Sequence, residues 1–162
     1  MIEPGHLKAE AALPPPEQFC RRIPHLQHLG MRYLPACVEN HSAPVFILGF
    51  QDRLVGNTHL PALHGGAVAS FMENSALLHL LMEQNGTSRL PKLIDFNIDY
   101  LRSAGPRDSF ACCEVAKLGS RVVLVHIRCW QRHFDRPAAL ARAHYLWEPV
   151  SGNTELAEDI RP

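Results

Sequence analysis

The stretch that most limits what this chain can become is "LHGGAVASFMENSALLHLLM", residues 63 to 82. After the paired glycines almost every residue is apolar, which suits a helix buried on most sides. Glu73 nevertheless sits in its middle, and a solitary carboxylate is costly to bury. The helix is expected to run to "EQNGTS", where Asn85 and Gly86 supply a C-terminal stop. Beyond it the period changes from helical to two. In "KLIDFNIDYLR" Ile94, Phe96, Ile98 and Tyr100 fall on one face and Asp95, Asn97 and Asp99 on the other. "SFACCEVAKLG", "RVVLVHIRCWQR" and "AALARAHYLWE" follow as three more strands, joined by "LGSR" and "HFDRP", short enough for antiparallel hairpins.

Before the helix, residues 31 to 39 and 44 to 51 read as two extended segments around the turn-like "ENHSAP", and "QDRLVGNTHLPAL" reads as a loop. Pro16 is placed to open a short helix, "PEQFCRRI", that closes before Pro24. One long helix with strands before and after it implies an α+β domain: a curved antiparallel sheet of about six strands wrapped around that helix. At 162 residues the chain has room for one such domain. We expect a flexible arm over 1–18, the domain over 19–150 and a tail over 151–162.

Sixteen basic residues balance sixteen acidic ones, without a basic block, so nothing points to nucleic acid or an anionic membrane surface as partner. The N-terminus lacks the pattern of a signal peptide, and no apolar run is long enough to span a bilayer. Five cysteines without a CxxC pair (Cys20, Cys37, Cys112, Cys113 and Cys129) fit reduced thiols in a cytoplasmic protein. Ten histidines invite a metal, but His25 and His28, or His59 and His64, lack a carboxylate or thiol to complete a tight set, so none is expected. GxSxG, P-loop and dinucleotide signals are absent from the sequence.

The chemistry concentrates on the helix start. First-turn N–H groups have no partner inside the helix and carry its positive dipole end, and glycine there leaves room for a carbonyl on which negative charge develops. Close packing of helix on sheet explains helix-start glycines equally simply. Ser70, Glu73 and Asn74 share one face at i, i+3 and i+4. That stripe is either a hydrogen-bonded or solvated contact face, or the site of a partly desolvated carboxylate with a raised pKa that serves as base or nucleophile. Gly65 and Glu73, eight residues apart, are separated by roughly 12 Å along the axis. One helix cannot bring both to one carbonyl; two antiparallel copies across a two-fold axis can. A catalytic site here therefore requires a dimer at least.

"LHGGAVASFMENSA" resembles the helix-opening motif of the hotdog-fold acyl-CoA thioesterases, in particular the phenylacetic-acid-degradation type. In that family His-Gly-Gly is followed by Asp or Glu nine positions after the His, here Glu73. "IDFNIDYLRSAGPRD", "VAKLGSRVVLVHIRCW" and "ALARAHYLW" resemble the family's later strands, so that the resemblance covers roughly residues 19 to 148. It implies a hotdog fold, dimers with sites at the interface, and often dimers of dimers. It implies that the N–H matching Gly65 polarises the thioester carbonyl and that the partner's residue matching Glu73 attacks or activates water. His64 would shape the turn, with Asn57 as a second local helper. Gly66, Asn74, Arg102 and the turn Gly119, Ser120, Arg121 would meet the coenzyme, and apolar helix residues such as Phe71, Leu77 and Leu81 the acyl group. Coenzyme A enters as part of the substrate, so no separate cofactor is expected. Thr58, Leu77 and Leu93 stand where many relatives carry accessory polar groups. They motivate the alternative of a hotdog protein that binds acyl-CoA or an acyl carrier protein without turnover.

Overall fold

The period-two segments of the second half pair into one antiparallel sheet. In the computed structural model, which describes residues 18, 20, 21, 23–34, 44–83 and 90–147, the strands are β1 (Met31–Leu34), β2 (Val45–Leu48), β3 (Val55–Asn57), β4 (Ala62–Leu63), β5 (Lys92–Tyr100), β6 (Ser109–Leu118), β7 (Val122–Trp130) and β8 (Ala139–Leu146). The helices are α1 (Pro24–Leu29) and α2 (Gly65–Glu83). Six strands form the main sheet in the order β1-β2-β6-β7-β8-β5, and β3 with β4 make a separate two-stranded hairpin. Every pairing is antiparallel. Of the expected N-terminal arm only Gln18 is described; the helix stop at Asn85 and Gly86, Cys37 and the C-terminal tail lie outside the described residues.

Alternation decides which face of the sheet meets the helix. On β8 Ala139, Ala141, Ala143 and Tyr145 are buried, and on β7 Val123, Val125, Ile127 and Cys129. These pack with Val68, Phe71, Met72, Ala76, Leu78 and Leu80 of α2 in one core. Three alanines on one strand let a bulky helix face approach the sheet closely, and each fully buried Phe or Leu contributes about 1.5–3 kcal/mol. The helix is anchored where its chemistry lies: Tyr145 Oη donates to the Glu73 carbonyl at 2.8 Å.

Two segments differ from expectation. Pro24 begins a helix instead of only closing the one before it: Gln18, Cys20 and Arg21 are helical, and α1 then starts afresh with Pro in its first turn. Proline costs nothing there because its missing N–H has no helical acceptor. Gly30, at φ 69°, ends α1 in the left-handed conformation. The presumed loop before α2 contains a 3-10 turn (Asp52–Leu54) and the β3–β4 hairpin. Its strands, of three and two residues, are too short for periodicity to show.

Candidate active site

The β3–β4 hairpin delivers His64 to the start of α2. Leu63 N–H donates to the Ala104 carbonyl at 2.8 Å and His64 N–H to the Leu54 carbonyl at 2.7 Å, which fixes the approach of the chain. Gly56 makes this possible, since a Cβ there would lie 2.7 Å from the His64 Cα.

The first-turn donors can then be accounted for one by one. Gly66 N–H donates to His64 Nδ1 at 2.9 Å, so the imidazole caps the helix and its Nδ1 acts as an acceptor. Ala67 and Val68 N–H groups donate to the His64 carbonyl at 2.9 and 3.1 Å. Gly65 N–H meets no acceptor among the described residues. Its carbonyl, in contrast, is held: Tyr100 Oη donates to it at 2.7 Å from the end of β5. Partial burial pushes the Tyr100 phenol above its ordinary pKa, in the direction that favours the protonated, donating form. A cavity of about 390 Å³ opens beside this peptide, lined by Gly65, Tyr100, Arg102 and Ala138 among others. An uncommitted N–H at the positive end of a helix, on a glycine at the wall of a cavity, can stabilise an oxyanion.

Glu73 is half-buried on α2 beside Ser70, Asn74 and Leu77, which are also half-buried. Asn74 Nδ2 donates to the Ser70 carbonyl at 2.7 Å and lies 3.4 Å from Ser70 Oγ, so this amide is turned back on its own helix. Ser70 Oγ also bonds His25 Nε2 of α1 at 2.7 Å. Asn57 closes the β3–β4 turn, its Oδ1 accepting from His59 N–H at 2.9 Å and Leu60 N–H at 3.2 Å. Its carbonyl oxygen is thereby engaged in its own turn.

The residues assigned to the coenzyme separate into two groups. Arg102 shares the cavity with Gly65, its Nη1 donating to the Pro137 carbonyl at 3.1 Å. Gly119, Ser120 and Arg121 form the β6–β7 turn at the other end of the sheet, where Lys92 and Val122 both register with Leu146. Tyr100, beside Gly65, registers with Ala139 at the near end. Nine residues of β5 between these ends span about 30 Å, so one chain does not bring that turn to Gly65.

Tyr100 and Tyr145, which hold the Gly65 and Glu73 carbonyls, were not foreseen as site residues. Alternation placed Tyr100 with core residues, and a terminal phenol reaching a helix carbonyl leaves no trace in the spacing. Cys112, Cys113 and Cys129 are poor nucleophiles, as burial pushes Cys112 up to about 11, Cys129 up to about 12 and Cys113 well above its ordinary value. Among the described residues no three His, Cys, Asp or Glu side chains group as a metal site, and no helix is long and apolar enough to cross a membrane.

An antiparallel sheet around one long helix opened by His-Gly-Gly defines a hotdog protein. The thioesterase superfamily model matches residues 60–134. A Chromobacterium violaceum protein of solved structure is 35% identical, with 82% of this chain and 89% of that one covered and a TM-score of 0.64. A thioesterase-superfamily protein of a Bordetella species is 25% identical over 82% of this chain and 96% of its own, with a TM-score of 0.70. The Escherichia coli PaaI protein of the phenylacetic acid degradation operon shares the fold at 17% identity, covering 75% of this chain and 86% of that one, with a TM-score of 0.60. No functionally curated protein matches the sequence. The chain therefore matches the thioesterase superfamily over residues 60–134 and has the hotdog fold of its solved members.

Proposed function

We propose that this protein is an acyl-CoA thioesterase acting on an acyl- or aryl-acyl-CoA at sites shared between two subunits. Gly65 N–H of one subunit polarises the thioester carbonyl, and the Glu73 carboxylate of the other attacks it or activates water. The observation that carries the reading is the uncommitted Gly65 N–H, since every other described donor of the first turn has an acceptor. The subunit-shared arrangement is supported by the roughly 12 Å between Gly65 and its own Glu73. It is supported again by β5, a nine-residue strand at the edge of the sheet with Ile94 54% exposed. Long apolar edges of that kind seek a pairing partner. An antiparallel β5–β5 pairing would also carry one subunit's Gly119–Arg121 end toward the other's Gly65, reuniting the coenzyme residues. Dimers of dimers are part of the same proposal.

The test is hydrolysis of an acyl-CoA panel, followed with a thiol reagent, by wild type and Glu73→Ala. Loss of turnover in the variant is expected, and equal rates would remove Glu73 from the mechanism. Mixing Glu73→Ala subunits with Gly65→Pro subunits, which lack that N–H, should restore activity at one of the two sites of a mixed dimer.

Leu77 beside Glu73, with no hydrogen-bonding group on its side chain, favours one second reading, a protein that binds the thioester without turnover. Coenzyme A binding by wild type with no hydrolysis across the panel would select it.

A further inference from the structure

A second groove adjoins the Gly65 cavity. About 360 Å³ in volume, it is lined by Arg102, Arg107, Arg132, His133 and Arg136, with Gln131 at its base. Arg102, Ser103 and Ala138 line both cavities, so the two share a wall. No carboxylate lines the groove. Asp108, the acid next to Arg107, is already engaged: it pairs with Arg32 at 3.1 Å and accepts from Phe50 N–H at 2.8 Å. Asp135 lies exposed in the same turn as Arg132 and Arg136 but is not part of the lining. The guanidinium groups of Arg107, Arg132 and Arg136 have no hydrogen-bond or ion-pair partner among the described residues.

The groove is also built rather than incidental. The Gln131 amide closes the loop after β5 against the end of β7. Its Oε1 accepts from Gly105 N–H at 2.9 Å, and its Nε2 lies 2.9 Å from the Gly105 carbonyl, 3.2 Å from that of Arg107 and 3.1 Å from Ser109 Oγ. Ser109 is fully buried, so this connection reaches the protein interior. Arg102 is tethered on the opposite wall through Pro137. Four guanidinium groups line one concavity and repel one another, and a polyanion relieves that repulsion. Their planar forks match phosphate oxygens.

We propose that this groove binds the phosphates of the substrate's nucleotide tail, with Arg107, Arg132 and Arg136 as contacts and Gln131 as the residue that positions their loop. The inference rests on the acyl-CoA reading, and adds to it residues that the His-Gly-Gly motif does not include. It adds phosphate contacts on the subunit whose Gly65 faces the carbonyl to those of the Gly119–Arg121 turn that β5–β5 pairing would bring from the other subunit.

The experiment is calorimetric titration of the intact protein with coenzyme A and with pantetheine, which lacks the phosphates. Wild type is compared with Arg107→Ala/Arg136→Ala and with a control pair, Lys117→Ala/Arg142→Ala, which removes the same charge elsewhere. Loss of two charge-assisted contacts should weaken coenzyme A binding by about tenfold or more, and raised salt should shrink the gap. The control pair should change it by less than about threefold, and pantetheine binding should not respond to the arginines. Equal coenzyme A affinity in wild type and the groove variant, equal weakening by the control pair, or an equal loss for pantetheine would each overturn the proposal. Arg107→Glu, a single exposed change, is the second variant should the double variant not fold. Coenzyme A binding sensitive to the arginines without any turnover would remove the thioesterase reading and leave the groove. Turnover indifferent to the arginines would do the reverse.

Discussion

Tyr100 Oη, at the end of the sheet's edge strand, donates a 2.7 Å hydrogen bond to the carbonyl of Gly65, whose own N–H has no acceptor among the described residues. That carbonyl marks the downstream face of Gly65, so the tyrosine steadies the turn on which the free donor is displayed. A Cβ on Gly65 would lie 3.2 Å from the Tyr100 oxygen and 3.3 Å from its Cζ, tighter than comfortable contact. Gly65→Ala should therefore disturb both the ring and the donor, lowering kcat by about 10-fold to 100-fold if the N–H stabilises charge in the transition state. Tyr100→Phe should lower it less, by about threefold to tenfold, with KM little changed. Steady-state kinetics of the two variants check this order; a larger loss for Tyr100→Phe would mean that the phenol itself touches substrate.

His64 caps α2 by accepting the Gly66 N–H at Nδ1. Removing a helix cap costs about 1 kcal/mol, and here it also releases a second donor next to Gly65. His64→Ala should lower the unfolding free energy by that amount, read as a lower urea midpoint at unchanged m-value, and reduce turnover as well. His64→Asn, which can cap by its side-chain oxygen, should recover stability. Recovery of stability without activity would assign the imidazole a role beyond the cap.

The parts legible in the sequence are those written in periodicity. Alternation on β7 and β8 shows in the buried Val123, Val125, Ile127 and Cys129 set, and in the alanines opposite it. The nearly all-apolar α2 could only be central. β3 and β4 escape because three and two residues cannot display a period, and α1 because proline signals the end of one helix as readily as the start of the next. At the site, the spacing of Gly65 and Glu73 announced a distance problem, but their tethers to Tyr100 and Tyr145 are long-range contacts with no local signature. The same holds for the arginine groove. Arg107 and Arg136 are 29 positions apart in sequence (136 − 107) and become neighbours only when β6 and β7 fold back on each other.

The edge strand offers a direct test of the shared site. Ile94 on β5 is 54% exposed in the single chain, and Leu93 is 39% exposed. In a lone subunit Ile94→Asp would alter stability by no more than about 0.5 kcal/mol, as most surface substitutions do. If β5 pairs with a second β5, a buried charge at that contact should split the assembly. Light scattering should then show a monomer that keeps its circular dichroism spectrum and loses thioester hydrolysis. A fully active monomer would dismiss the two-subunit mechanism, and an intact dimer would place the interface elsewhere.

His79, six residues or about one and two-thirds turns beyond Glu73 on α2, sets an expected pH limit on stability. It is only 5% exposed, and its Nδ1 has no partner among the described residues. Burial lowers its pKa from 6.5, against a smaller opposing effect of the Glu83 carboxylate. Between the lowered folded value and 6.5 the unfolded chain binds the proton and the folded chain does not. Stability therefore rises with pH through that window and falls as pH drops below about 6.5, by at most about 1.4 kcal/mol per pH unit from this one group. His79→Leu removes the titration while keeping an apolar side chain in the core. Urea unfolding of both proteins at intervals from pH 7.5 to 5 should give curves that converge or cross as the pH rises, with wild type losing more stability on acidification. Parallel curves would mean that His79 takes up its proton without unfolding, through access to water or an acceptor that burial of the single chain does not reveal.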